Sequence, residues 1–262
     1  MQLIPPFRAR AALLARRLRA DTGGLALIEF AISLPVLLTI GLMGLETAHY
    51  ALANLRISQM AMLAADNAGR VRISIDESDV NDIMTGTRLM GSSLNFSANG
   101  RIIISDLEQR TNNNNTTALP TTPDNPNGYR QWVRWQRCAG ALRVLSSYGG
   151  PTDAQGNPIT NIDTPVRNPD NSVKPDFGAV ENKSILTGMG PPGNQVQASA
   201  GTAVMFVEVV YQYQPIVPIN FLGPRTIRYT SAFNVRQRTN YSLTNNGALS
   251  GAGLSDCSIY SG

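Results

Sequence analysis

The chain has 262 residues, 42% of them hydrophobic and 15% charged, a composition that suits a globular protein with a membrane segment and allows a sizeable core. Its formal charge of +4 is local: residues 1–24 hold Arg8, Arg10, Arg16, Arg17 and Arg19 against Asp21, which leaves residues 25–262 formally neutral. The basicity therefore belongs to the amino-terminal stretch and not to a binding face, which argues against a nucleic-acid partner.

Residues 25–45 form an apolar run whose only charge is Glu29. As a helix the run spans roughly 31 Å, one bilayer core. The arginines directly before it put residues 1–24 in the cytoplasm and the chain beyond about residue 46 across the membrane, a single-pass, N-in topology. Pro35 sits inside the run, where a kink or loosening is expected. Gly41 and Gly44 are small residues three apart that permit close helix approach. A carboxylate at this depth is costly, about 2.5 kcal/mol or more, so Glu29 either has a partner or snorkels to the headgroups from the first turn.

The helix is expected to continue through "ETAHYALANLRISQMAMLAADNAGR", with Leu45, Ala48, Leu52 and Leu55 at helical spacing and Gly69 as the stop. His49, the only histidine, stands beside Tyr50 just past the run and reads as a membrane-edge anchor. With one histidine and no Walker loop there is no convincing catalytic set and no multi-histidine metal site, so neither metal nor cofactor is expected.

"SIDESDVNDIM" predicts a short helix to about Met90, capped by Ser74 or Ser78 with Asp76, Glu77 and Asp79 as first-turn acids. Residues 100–109, 129–138, 203–214 and 225–237 are β-rich runs of strand length. Together they predict an α+β fold in which a long amino-terminal transmembrane and spine helix packs on an antiparallel sheet of about four strands. Trp132 and Trp135 lie on opposite sides of an ideal strand, which favours core packing over an aromatic platform. Long irregular loops are expected at 111–128 and 149–202, and a disordered tail from 244 unless Cys257 pins it. The domain organisation is thus a leader (1–24), a transmembrane helix (25–45), its continuation (46–70) and an extracytoplasmic α+β domain (71–262). Cys138 and Cys257 are either a single bridge, if this part lies outside the cytoplasm, or two thiols; CxxC and zinc spacings are absent.

A basic leader ending in Gly24, followed by Leu25, Ala26, Leu27, Ile28, Glu29 and Phe30, resembles the class III signal of type IV pilins and pseudopilins. The longer stretch "GGLALIEFAISLPVLL", with Pro35, resembles the TadE-like proteins of tight-adherence (Flp) pilus systems, as, less specifically, do "VRWQRCAG" at 133–140 and "VVYQYQP" at 209–215. The resemblance implies cutting between Gly24 and Leu25 by a prepilin peptidase, with Glu29 at the fifth mature position and Phe30 and Pro35 in the assembly helix. It also implies a bacterial inner membrane, partnership with other pilins or pseudopilins and the assembly platform, and no enzymatic activity. Some 200 residues beyond the helix point to a minor or accessory component rather than the short major pilin. Two departures stand out: Leu25 where many type IV pilins have Phe, and Gly23 as a second cutting point. The alternatives are an accessory protein of the same machine that keeps its leader, and a membrane-anchored ligand-binding or enzymatic domain with a pocket built from the two long loops.

Overall fold

The computed structural model describes residues 16–17, 23–110, 121, 128–151, 159, 187–217, 223, 225–250 and 253–261. Most of the leader and of the loops expected at 111–128 and 149–202 therefore lie outside the described residues.

Helix α1 runs unbroken from Gly23–Arg70, through Pro35. It is the one helix among the described residues long and apolar enough to cross a membrane, and the residues of its apolar stretch are unburied. After it come β1 (Ile73–Asp76), α2 (Glu77–Met90), a 3₁₀ turn (Ser92–Leu94), the single turn α3 (Phe96–Asn99), and strands β2 (Gly100–Arg110), β3 (Arg130–Ala139), β4 (Ala203–Gln212), β5 (Thr226–Asn234) and β6 (Arg238–Thr244). The chain divides into two compact units. One holds α1 up to His49 together with Ile216 and Val217; the other begins at Tyr50 and contains both sheets.

The larger sheet is antiparallel in the order β3-β2-β4-β5, the α+β arrangement expected of the four β-rich runs. Its principal core joins Ile102, Ile104, Trp135, Met205, Val207, Val209 and Tyr211 to one stripe of α1. Strand alternation leaves Leu107, Val133, Val204 and Phe206 for a second cluster. Trp132 packs apart from Trp135, with Ile159.

The buried stripe of α1 lies away from the residues whose helical spacing predicts the helix. Leu45, Leu52 and Leu55 are exposed, whereas Ala53, Ile57, Met60, Ala61, Ala64, Ala65 and Ala68 form the contact. Alanines let a helix backbone approach a sheet more closely than leucines would, and the sheet supplies the bulk. Gly69 is not a stop: the helix continues to Arg70, and a Cβ at Gly69 would lie 3.3 Å from Cβ of Phe233 and 3.4 Å from the carbonyl oxygen of Asn234.

The cap of α2 differs too. Asp76, not Ser74 or Ser78, is the N-cap: it accepts from the Ser78 amide at 3.1 Å, and its own amide donates to Asp79 at 2.9 Å, a capping box. Asp76 also accepts from the Thr244 hydroxyl at 2.9 Å and the Asn246 amide at 2.8 Å, which ties α2 to the far end of the chain. Burial disfavours its charge, but these three donors, with the Ser78 hydroxyl at 3.0 Å, outweigh it and hold the carboxyl below its ordinary range. The run expected as one strand at 225–237 ends at Asn234, and β6 pairs in parallel with β1 as a separate two-stranded ribbon.

A bulge separates the halves of β3. Ser105 pairs with Gln136 and Leu107 with Val133, so Arg134 and Trp135 together stand opposite Asp106. Both then reach β6: Arg134 donates to the Ser242 hydroxyl at 2.7 Å and the Trp135 indole to the Tyr241 carbonyl at 3.2 Å.

Candidate functional site

The sequence-predicted residues at the start of α1 are all accessible. Gly24, Leu25, Glu29, Phe30 and Pro35 are exposed, and the Gly24–Leu25 bond lies in the first turn of the helix. Leu25 and Glu29 are four residues apart, one turn, so the amino group that a cut after Gly24 would create stands beside this carboxylate. Polar side chains along the same stretch turn inward onto the backbone. Ser33 donates to the Phe30 carbonyl at 3.2 Å, Thr39 to Pro35 at 2.7 Å and Thr47 to Met43 at 2.8 Å. Each hydroxyl is thereby satisfied without water, as an apolar surrounding requires.

Gly41, Gly44, Leu45, Leu52, Leu55, Met62 and Leu63 fall within about 100° of one another around the helix axis at 3.6 residues per turn. The five large members are exposed. An apolar face thus continues past the membrane-length run, opposite the alanine stripe that packs on the sheet.

Glu46, the first residue after the run, is only 3% exposed. One of its carboxylate oxygens accepts from the amides of Ile216 at 3.1 Å and Val217 at 3.0 Å.

Cys138 and Cys257 form a disulfide across a separation of 119 residues, and the tail expected to be disordered unless pinned is held. Arg101 completes the hold from full burial: it donates to the carbonyls of Gly140 at 2.8 Å, Ile259 at 2.7 Å and Cys257 at 2.7 Å, and its guanidinium lies 4.1 Å from the Tyr260 ring centroid. Burial lowers the affinity of this guanidinium for its proton, with Tyr260 and Asp256 acting the other way. Sequence reasoning missed Arg101, although a charged residue at the head of "GRIII" was a signal.

A cavity of about 560 Å³ lies beside the bridge, lined by Leu145, Gly149, Pro151, Ile159, Asp256 and Tyr260 among others. The Gln136 amide at its edge is committed to the Ser105 hydroxyl at 2.8 Å and the Gly149 carbonyl at 3.0 Å.

Asp106 is fully buried, and neither carboxylate oxygen has a hydrogen-bond partner among the described residues. Burial first, and then the charge of Glu108, hold its carboxyl well above the ordinary carboxylate range, against the pull of Arg238 and Arg134. The folded chain therefore keeps a proton that the unfolded chain releases near 3.8. Stability from this group is full below that pH and is lost as pH rises through the window up to the folded-state value. Asp106→Asn, neutral at every pH, is expected to raise the urea midpoint at pH 7.5 and to leave it unchanged at pH 3.5. A lower midpoint at pH 7.5 would show that Asp106 works as an ion there.

Residues 24–66 match the family model described as TadE-like protein. No curated protein and no solved structure matches the chain. The matched segment begins at the candidate cleavage glycine and stops four residues before the end of α1, so the amino-terminal helix of this chain is TadE-like.

Proposed function

We propose that the chain is a minor pseudopilin or accessory component in the assembly of a tight-adherence pilus, non-enzymatic and acting through helix association. The first half of α1 anchors it in the bacterial inner membrane, with the leader in the cytoplasm and the α+β domain outside. A prepilin peptidase removes the leader after Gly24. The freed amino group and Glu29 then neutralise one another, in one subunit or between neighbours, where a lone carboxylate would be costly. The observation that carries the reading is the exposed apolar face of α1, which runs from Gly41 through Leu63 on the side away from the alanine stripe. A helix that served only as an anchor would have no need of large apolar residues on that face beyond the bilayer.

The test separates processing from assembly. Glu29→Gln is expected to be cut after Gly24, by amino-terminal sequencing of the membrane-extracted protein, yet to fail to support pili. Gly24→Ser is expected to block the cut. Normal pili with Glu29→Gln would remove the role of the carboxylate, and an intact Met1 terminus in the native protein would replace the processed component by an accessory protein that keeps its leader.

A further inference from the structure

Glu46 marks the place where the apolar run of α1 ends, and its nearly complete burial is compensated by two backbone amides from the β4–β5 connection. Hydrogen bonds from backbone amides offset part of what burying a carboxylate costs. The donors come from an unusual segment. "PIVPINFLGP" at 215–224 contains no charged residue and carries apolar side chains at Ile216, Val217, Ile219, Phe221 and Leu222. Ile216 is 54% exposed although its amide is fixed, and it belongs to the same compact unit as the apolar half of α1.

We infer that the connection at Ile216–Val217 is a second membrane contact, held by Glu46 at the level where the apolar run of α1 leaves the bilayer, with Ile216 directed into the lipid interface. The inference rests on the reading of residues 25–45 as a membrane span. The occupant of the exposed apolar surface is the bilayer itself: the carboxylate that fixes the segment lies within a single turn of the last lipid-facing residues of the same helix, and the segment has no charge that would hold it in water.

The experiment uses the full chain in phosphatidylcholine/phosphatidylglycerol nanodiscs, with the native disulfide intact and one added cysteine carrying an environment-sensitive fluorophore. Ile216→Cys is compared with Leu38→Cys in the span and Leu145→Cys on the α+β domain, using lipids that carry a quencher near the headgroup or at the chain end. Ile216→Cys is expected to be quenched at least twofold more by the headgroup-level quencher than by the chain-end one. Leu38→Cys should show the reverse preference, and Leu145→Cys no quenching. Adding Glu46→Ala should at least halve the quenching at position 216. Quenching at 38 without quenching at 216 overturns the second contact and leaves the span intact; this includes a blue-shifted, unquenched probe at 216, which would mean cover by protein. No quenching at 38 overturns the span, and the inference falls with it.

Discussion

Cys257→Ser, or reduction of the native chain, is expected to lower the unfolding free energy by about 4 to 5 kcal/mol in the chain-entropy account of a bridge closing a loop this long. The separation of 119 residues sets the size of the effect, because the bridge restricts nearly half of the unfolded chain. The tail has further ties that the bridge keeps in register. The Cys138 amide donates to the Ser255 carbonyl at 2.7 Å, and the Asn81 side chain to Gly253 at 2.7 Å. Arg101 would be left buried with unsatisfied donors if the tail departed, so a reduced chain that lets go loses more than the entropic share. Urea unfolding of the oxidised and reduced protein measures the difference, and limited proteolysis reports whether residues beyond 253 become cleavable first. A loss below 1 kcal/mol would overturn the entropic account, because a tail that stays docked in the folded state still leaves the unfolded chain freer once the bridge is open.

Local signals and non-local ones differed in how much of this could be read in advance. The span of α1 and the four strands of the large sheet were legible because length, hydropathy and β-branched alternation are properties of contiguous residues. The likeness of the segment from Gly24 to Pro35 to TadE-like proteins was legible for the same reason, being carried by a short linear motif. The face of the helix that packs on the sheet was not legible, because apolar residues at helical spacing mark a helix without saying which of its sides is covered. Leu52 and Leu55 are outside, and the alanines that look neutral in sequence are inside because the helix lies close to the sheet.

The ribbon of β1 and β6 had no local signature. Ile73 enters it at a φ of 64°, a conformation that a β-branched residue rarely adopts and that nothing in "VRISID" announces. The bulge in β3 was equally silent, yet it aims Arg134 and Trp135 at the same strand. Buried charges were the largest omission. Arg101 meets carbonyls up to 158 residues away, and Asp106 takes its character from burial, opposed by Arg238 and Arg134, all of which only tertiary structure brings about. Glu46 reads in sequence as the polar end of an apolar run; its two amide donors are 170 and 171 residues away.

Glu77→Ala is expected to cost about 3 to 5 kcal/mol, the loss typical of removing one partner from a buried ion pair. Read from sequence, Glu77 is a first-turn acid that complements the dipole of α2. Its side chain instead meets Arg137 of β3, and both residues are buried. The Arg137 Nε donates to both Glu77 oxygens at 3.0 Å, a terminal nitrogen makes a further close contact, and another donates to the Gln136 carbonyl at 2.9 Å. Removing the carboxylate takes the charge partner from a guanidinium that is only 5% exposed. Replacing both partners, Glu77→Leu with Arg137→Met, is expected to recover most of the loss, since two apolar side chains of similar volume avoid the desolvation that the pair must offset. A double variant as unstable as Glu77→Ala would show that the geometry of the pair, and not its charge, fixes α2 on the sheet. Arg137 also adjoins Cys138, and Asn81 of α2 holds the tail through Gly253, so α2, β3 and the tail meet at one junction. Glu77→Ala and Cys257→Ser should therefore fail to add by about 0.5 kcal/mol or more in a double-mutant cycle, as neighbouring sites with shared partners do. Strict additivity would mean that the tail and α2 leave the sheet independently.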